Sequence, residues 1–130
     1  MKSILILLLA IPMAHAELAV KVLPLKVTGQ KAIVPLEMKN NFAENIESAR
    51  AAVFLLDEKG KRIGEGTRWV INGTSGKPGL TPGATNIFHF VVTADKPIVT
   101  TNLTAQVMFS RVVLEGGKLA DLKTGIQLHH

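Results

Sequence analysis

The stretch VFLLDEKGKRIGEG, residues 53–66, contains an apolar run, an acidic corner with a glycine, and a second segment with different patterning. In the run from Ala51 to Leu56 both alternating sets of positions are apolar, which is typical of a strand in the middle of a sheet. Asp57 can hydrogen-bond the turning backbone, and Gly60 can take a positive φ, as a tight reversal requires. The stretch therefore predicts a central strand that folds back on itself.

The rest of the chain repeats short alternating segments that are separated by turn-forming residues. Period-two alternation rich in Val, Ile, Thr and Phe is typical of strands that bury one face. We therefore expect an all-β fold, an immunoglobulin-like antiparallel β-sandwich of about seven strands. Residues 119–128 also alternate, and they are predicted to pair with the preceding strand through a hairpin at residues 115–118.

Two prolines and one break in the alternation predict departures from regular strands. Pro24 and Pro35 cannot donate to a ladder, so we expect Pro24 to lie in an edge strand or at a kink between the sheets, and Pro35 to lie near an edge. The alternation slips after Phe109, because the next apolar positions are out of step with it. An extra residue in a strand has this effect, which predicts a β-bulge near Ser110 and Arg111.

Three other segments are weaker strand candidates. Residues 43–49 fit either two helical turns or a plain connection between the sheets. Gly64 and Gly66 interrupt the returning strand and suggest another bulge. Residues 72–85 contain four glycines and two prolines, and they are predicted to form a long irregular loop, which is either functional or simply mobile.

The N-terminus is typical of a secretory signal peptide. Residues 1–16, MKSILILLLAIPMAHA, carry an early lysine, an apolar run too short for a bilayer core, and the small-x-small ending Ala14-His15-Ala16. We expect cleavage after Ala16 and one domain spanning residues 17–130. The chain has no cysteine, which excludes disulfides and a lipoprotein anchor. The predicted location is the periplasm or the medium.

The opening stretch resembles the strand and turn of FxLYD-type domains, which are small immunoglobulin-like or fibronectin-III-like modules of exported proteins. The matching residues are V-x-L-L-D from Val53, then Gly60, then I-G-x-G from Ile63. A second passage, L-x-P-G from Leu80 followed by F-x-F from Phe88, is similar to the segment by which such sandwiches re-enter the core. The resemblance implies a structural or interaction module of the cell envelope without catalytic residues.

Charge and the single tryptophan indicate how such a module would recognise a partner. The formal net charge is +5, with 15 Lys and Arg scattered against 10 Asp and Glu. Scattered basic residues argue against nucleic acid and favour attraction to anionic envelope polymers. Trp69, with Arg68 and Arg62 nearby, is the candidate contact for an envelope protein or polymer, although packing on the sandwich rim is the favoured interpretation of the tryptophan. We expect no transmembrane anchor.

Two other functions are alternatives. A metal-binding carrier would use His89, His129 and His130 as ligands. A small hydrolase would bring His89 together with a serine and an acid from different loops. The serines beyond residue 16 lack an elbow motif of the G-x-S-x-G type: Ser48, Ser75 and Ser110. We therefore predict an interaction module with no catalytic residue, no metal and no cofactor.

Overall fold

A computed structural model describes residues 16–73 and 79–129. These residues form nine strands and one 3-10 turn, Glu115–Gly117, and the signal peptide predicted for residues 1–16 lies outside them except for Ala16. The strands in chain order are β1 (Leu18–Val22), β2 (Lys26–Thr28), β3 (Lys31–Asn40), β4 (Ile46–Leu56), β5 (Arg62–Asn72), β6 (Thr85–Thr93), β7 (Thr104–Leu114), β8 (Lys118–Leu119) and β9 (Ile126–His129).

The strands form two sheets. In sheet A, β3 lies between β6 on one side and β1 with β2 on the other, and β9 pairs with the outer side of β1. Sheet B has the order β5-β4-β7-β8. The pairs are antiparallel except that of β1 with β9, which is parallel. The prediction of an all-β sandwich is confirmed.

The core lies between the inner faces of the two sheets, because alternate side chains of each strand point there. In sheet A, Val34 and Phe90 are fully buried, and in sheet B the same is true of Val53 and Leu55. Burying one such side chain contributes about 1.5–3 kcal/mol to folding. The outward residues of β4 between these positions are half-buried. This strand has β5 on one side and β7 on the other, as its two apolar faces predict.

The acidic corner after β4 is a tight turn. One carboxylate oxygen of Asp57 accepts hydrogen bonds from the backbone N–H groups of Lys59 and Lys61, both at 2.9 Å. Gly60 has a φ of 78°, which favours glycine. The carboxylate at this corner thus holds the reversal between β4 and β5.

Residues 43–49 do not form a helix. The buried side chain of Asn40 organises this connection: its amide nitrogen donates to the carbonyl oxygens of Glu44 at 2.9 Å and Leu80 at 2.8 Å. Its amide oxygen accepts from the backbone N–H of Phe42 at 2.8 Å. These bonds favour a turn over helical turns, and β4 begins at Ile46.

The two prolines occupy different environments. Pro24 separates β1 from β2 at the edge of sheet A, as predicted. Pro35, however, lies in β3, an internal strand, so the expectation that it lies near an edge is wrong. Its carbonyl accepts from the N–H of Leu23 at 3.0 Å. Because the nitrogen and carbonyl of one strand residue point to the same side, the missing N–H of Pro35 faces the interruption between β1 and β2.

The C-terminal segment differs from its prediction. A hairpin follows β7, with Gly116 and Gly117 both at φ 80°, but β8 contains only Lys118–Leu119. Asp121 and Gly125 then close a turn, and the chain crosses to sheet A as β9. The segment 119–128 is therefore divided between the two sheets instead of forming one strand of the hairpin.

Gly64 and Gly66 are sites of close approach between the sheets. A Cβ on Gly64 would lie 3.0 Å from the Cα of Ala94, and one on Gly66 would lie 3.3 Å from the ring of Phe90. The bulge lies beside Gly64, at Ile63, where the pairing of β4 with β5 shifts by one residue. The two glycines thus allow β5 to pack against β6.

Candidate functional site

The three predicted contact residues lie on one strand but do not form one cluster. Trp69 is 41% exposed on the outer face of sheet B. Arg68 lies at the next position of β5, paired with the buried Ala51, and is exposed at the sheet edge. Arg62 is seven residues from Trp69, about 20 Å along the strand. Its guanidinium lies 4.1 Å from the centre of the Phe54 ring.

Trp69 has other neighbours that the sequence did not reveal. In the strand register, Arg50 of β4 is paired with Trp69 on one side and with Arg111 of β7 on the other. We call Trp69, Arg50 and Arg111 the arginine–tryptophan row. All three side chains are exposed. The row crosses three neighbouring strands on the outer face of sheet B.

A β-bulge positions Arg111 in this row. Phe109 pairs with Ala51, but Arg111 instead of Ser110 pairs with Arg50, so Ser110 is the extra residue. Without it, Arg111 would occupy an inward-facing position, since a shift of one residue exchanges the two faces. The bulge predicted near Ser110 and Arg111 is thereby confirmed. The break in alternation after Phe109 predicted the bulge. The sequence did not predict which residue lies opposite Arg111, because that depends on long-range strand pairing.

Another bulge, at Val70 of β5, separates Trp69 from Ile71. Ile71 pairs with Ala49 and Trp69 pairs with Arg50, so Val70 is the extra residue. Ile71 therefore joins the core, although regular alternation places it on the same face as Trp69. The tryptophan remains outside while both residues after it are buried.

The arginine–tryptophan row concentrates positive charge. Side chains directly opposite each other on one face have Cβ atoms about 5 Å apart, and like charges there are destabilising. Among the described residues, the ion pairs join Arg62 to Glu65 and Lys118 to Glu44, so they include neither Arg50 nor Arg111. The row can therefore attract an anionic group of a partner, for which its two guanidinium groups offer fork-shaped donors.

The neighbouring positions add an apolar surface to the row. In the next register line, Ala52 lies between Thr67 and Met108, and Met108 is 56% exposed. The small Ala52 side chain lies opposite Met108 and diagonal to Trp69, two large exposed apolar groups. Aromatic and methionine side chains with arginine are the types enriched in protein interfaces. The outer face of sheet B thus combines the arginine–tryptophan row, which can attract an anionic group, with exposed apolar side chains.

A groove of about 340 Å³ lies at one end of the sandwich, between the β4–β5 turn and the segment after β6. Both signs of charge and several apolar side chains line it. The lining residues are Asp57, Glu58, Lys61, Arg62, Ile63, Asp95, Lys96, Pro97, Ile98, Val99 and Thr100. Asp57 already accepts two turn hydrogen bonds. The groove is therefore a concave surface whose positive and negative charges balance, so it does not select a ligand by charge.

The histidines of the metal-carrier alternative are separated by the strand order. His89 of β6 is paired with Pro35, and His129 of β9 is paired with Lys21. Since β3 and β1 lie between β6 and β9, the two side chains are about 14 Å apart across the sheet, too far for one metal ion. Residue His130 lies outside the described residues.

The residues of the hydrolase alternative are not brought together either. His89 is exposed on the outer face of sheet A, whereas Ser48 and Ser110 belong to strands of sheet B. The hydroxyl of Ser110 donates to the carbonyl of Arg50 at 3.4 Å. Stacked sheets lie about 10 Å apart, so neither serine can reach His89. Ser75, in the central part of the loop 72–85, lies outside the described residues.

The ends of that loop are held against β4. The N–H of Gly73 donates to the carbonyl of Glu47 at 2.7 Å, and Leu80 and Ile46 exchange two hydrogen bonds of 2.9 Å. A Cβ on Gly73 would lie 2.7 Å from the same carbonyl oxygen, so close approach requires glycine there. These contacts hold the described parts of the loop on the two sides of residues 74–78, which lie outside the described residues.

Comparison of the chain with known protein families, with characterised proteins and with solved structures finds no match. Within residues 16–73 and 79–129, no helix is long and apolar enough to cross a membrane. The same residues contain no group of three or more His, Cys, Asp or Glu side chains that could hold a metal ion.

Proposed function

We propose that this chain is an exported, non-catalytic interaction module of the cell envelope that binds an anionic partner, protein or polymer, through the outer face of sheet B. The observation that carries the proposal is the arginine–tryptophan row, in which two adjacent arginines have no acidic partner among the described residues. Exposed Trp69 and Met108 beside them supply apolar contact area. Arg68 adds a positive charge at the edge of β5 next to Trp69, whereas Arg62 is paired with Glu65.

The strand connectivity supports an immunoglobulin-like arrangement for this module. The first, second and fifth long strands, β1, β3 and β6, share one sheet, and the third and sixth, β4 and β7, pair in the other. Immunoglobulin-like sandwiches place their A, B and E strands in one sheet and C and F in the other, and β5 lies beside β4 as strand C′ of variable domains lies in the sheet of C. Such domains commonly serve recognition, with loops or sheet faces as contact surfaces.

The start of β1 supports export. The first strand begins at Leu18, two residues after the predicted cleavage site at Ala16. Removal of residues 1–16 would therefore delete no described strand. Fractionation of cells that produce the protein tests this: mature protein outside the cytoplasm is expected, and an unprocessed cytoplasmic chain would contradict it.

Site-specific photocrosslinking tests the binding surface. A benzoylphenylalanine at Thr67, which is exposed beside the row, should form adducts with envelope components, and Arg50→Glu in the same chain should remove them. The control position is Ile87, 44% exposed on the outer face of sheet A. Equal adducts from both faces, or adducts that survive Arg50→Glu, would contradict the proposed surface. Analysis of the adducts distinguishes a protein from a polymer.

A further inference from the structure

Within the described residues, one edge of sheet B has no pairing partner over most of its length. β8 pairs only with Val113 and Leu114 of β7, and one more hydrogen bond joins the N–H of Ala120 to the carbonyl of Val112 at 2.9 Å. Before Val112, the backbone of β7 from residue 104 to 111 pairs with β4 alone among the described residues. Every second residue there directs its N–H and C=O groups away from β4.

The chain leaves this edge because of a local turn. Asp121 accepts a hydrogen bond from the N–H of Lys123 at 2.8 Å through its side chain and another from the N–H of Gly125 at 2.6 Å through its carbonyl. A Cβ on Gly125 would lie 2.5 Å from that carbonyl oxygen, so the turn requires glycine. The chain then pairs with β1 in sheet A instead of extending β8.

The open edge also lacks the residues that usually prevent strand addition. No charged residue and no proline occurs from residue 98 to residue 110. Natural sheet edges are commonly protected by charges, prolines or covering elements. β5 carries Arg62, Glu65 and Arg68, and Pro24 lies just before the edge strand β2, while β9 covers β1. The edge of β7 has neither charge nor proline from residue 104 to residue 109, and its bulge at Ser110 lies at the end of the open segment.

We propose that the open edge of β7 pairs with the same edge of a second copy of this chain, in antiparallel orientation about a two-fold axis at Val107. In this register residues 104–110 of each copy pair with each other, and inward and outward positions match. Gln106 lies opposite the partner's Met108, and Ala105 lies opposite the partner's Phe109. An isologous contact of this kind closes as a dimer.

The length of the opening fits this register. A two-fold axis at Val107 places residue 110 opposite the partner's Thr104, so the pairing ends before Val112, where β8 begins to cover the edge. Because residues 104–110 carry no charge, pairing of the two copies places no like charges opposite each other. A second copy is the occupant that the structure supports, since one surface supplies both strands. The contact uses the backbone edge of β7 and does not depend on the arginine–tryptophan row, although Met108 lies both beside that row and in the dimer register.

Sedimentation velocity of the purified protein tests the dimer. The contact involves one strand per copy, so we expect a weak dimer with a Kd of about 10–100 μM. Met108→Lys should weaken it at least about tenfold, because the two introduced lysines would lie about 7–8 Å apart as diagonal neighbours. Ile87→Lys, which changes an exposed apolar strand residue of sheet A in the same way, should leave the Kd unchanged.

Charge pairs test the register. Gln106→Glu combined with Met108→Lys places opposite charges face to face twice and should restore the dimer, whereas Gln106→Lys combined with Met108→Lys should remain monomeric. Circular dichroism and a thermal melt confirm that each variant is folded; both positions are exposed. A wild-type protein that is monomeric at about 500 μM would overturn the proposal. This holds even if a foreign peptide binds at the same edge, because the proposed occupant is a second copy of the chain. A dimer that survives Met108→Lys would also overturn it.

Discussion

Replacing Arg111 by glutamate tests whether the arginine–tryptophan row is maintained at a cost in stability. Arg111 and Arg50 are directly opposite. For two unit charges about 7 Å apart in water, Coulomb's law gives a repulsion of roughly 0.6 kcal/mol, which we take for the two guanidinium groups. Arg111→Glu converts this repulsion into an attraction of similar size. We therefore expect the free energy of unfolding to rise by about 1 kcal/mol at low ionic strength.

The assay is urea unfolding of the purified protein at low and at high NaCl. The control is Lys39→Glu, which changes the charge by the same amount on sheet A, where the paired neighbours Ala19 and Thr85 are neutral. Because the chain has a net charge of +5, both variants reduce general repulsion, and the difference between them measures the local pair. That difference should be about 1 kcal/mol at low salt and should nearly vanish at about 0.5 M NaCl, where screening acts within a few ångströms.

The same variant connects stability with binding. Arg111→Glu should also lose the photocrosslinked adducts formed from position 67, while Lys39→Glu should keep them. Equal stabilisation by the two glutamates at low salt, or a less stable Arg111→Glu, would refute the reasoning that the two arginines repel. A stabilised variant that still forms the adducts would separate the charge pair from the binding surface.

Three further predictions concern the residues that build the fold, each measured by urea unfolding against its matched control. Gly64→Ala should lower the free energy of unfolding by about 2 kcal/mol, which is more than the loss expected for Gly66→Ala. The added methyl group at position 64 would meet the backbone of Thr93 and Ala94, whereas the one at position 66 would meet the ring edge of Phe90. Equal losses would contradict this. Asn40→Ala should cost about 3 kcal/mol by removing three hydrogen bonds, and exposed Asn86→Ala should cost under about 0.5 kcal/mol; a cost for Asn40 below about 1 kcal/mol would refute its role. Asp57→Ala should cost about 1 kcal/mol, and Asp57→Asn, which retains an acceptor oxygen, should cost less; the reverse order would contradict the turn.

Local patterns were sufficient to predict much of the sandwich. The two apolar faces of residues 51–56 predicted a central strand, and β4 has that position. Asp57 and Gly60 form the predicted turn, and the break after Phe109 marks a bulge at Ser110. Each of these signals depends on residues close together in the chain, since side-chain alternation and turn geometry are local properties of the backbone.

Other features required the folded molecule. Pro35 was expected near an edge, but β1 and β2 leave an interruption opposite it, so an internal strand tolerates the proline. The sequence of residues 43–49 is compatible with a helix, but the folded chain forms a turn there, in which Asn40 donates to the carbonyl of Leu80, forty residues away. Neither partner can be identified from the neighbouring sequence, because contacts of this range depend on how the sheets are ordered.

The candidate binding surface also has one part that the sequence predicts and another that only the folded structure reveals. The patterning of β5 was enough to identify Trp69 as a possible contact, but Arg50 and Arg111 join it only through pairing across three strands. The open edge of β7 likewise exists because β9 pairs with β1 in the other sheet. A residue's face follows from its own strand, whereas its neighbours across the sheet follow from strand order and register, which nonlocal hydrogen bonds and burial establish during folding.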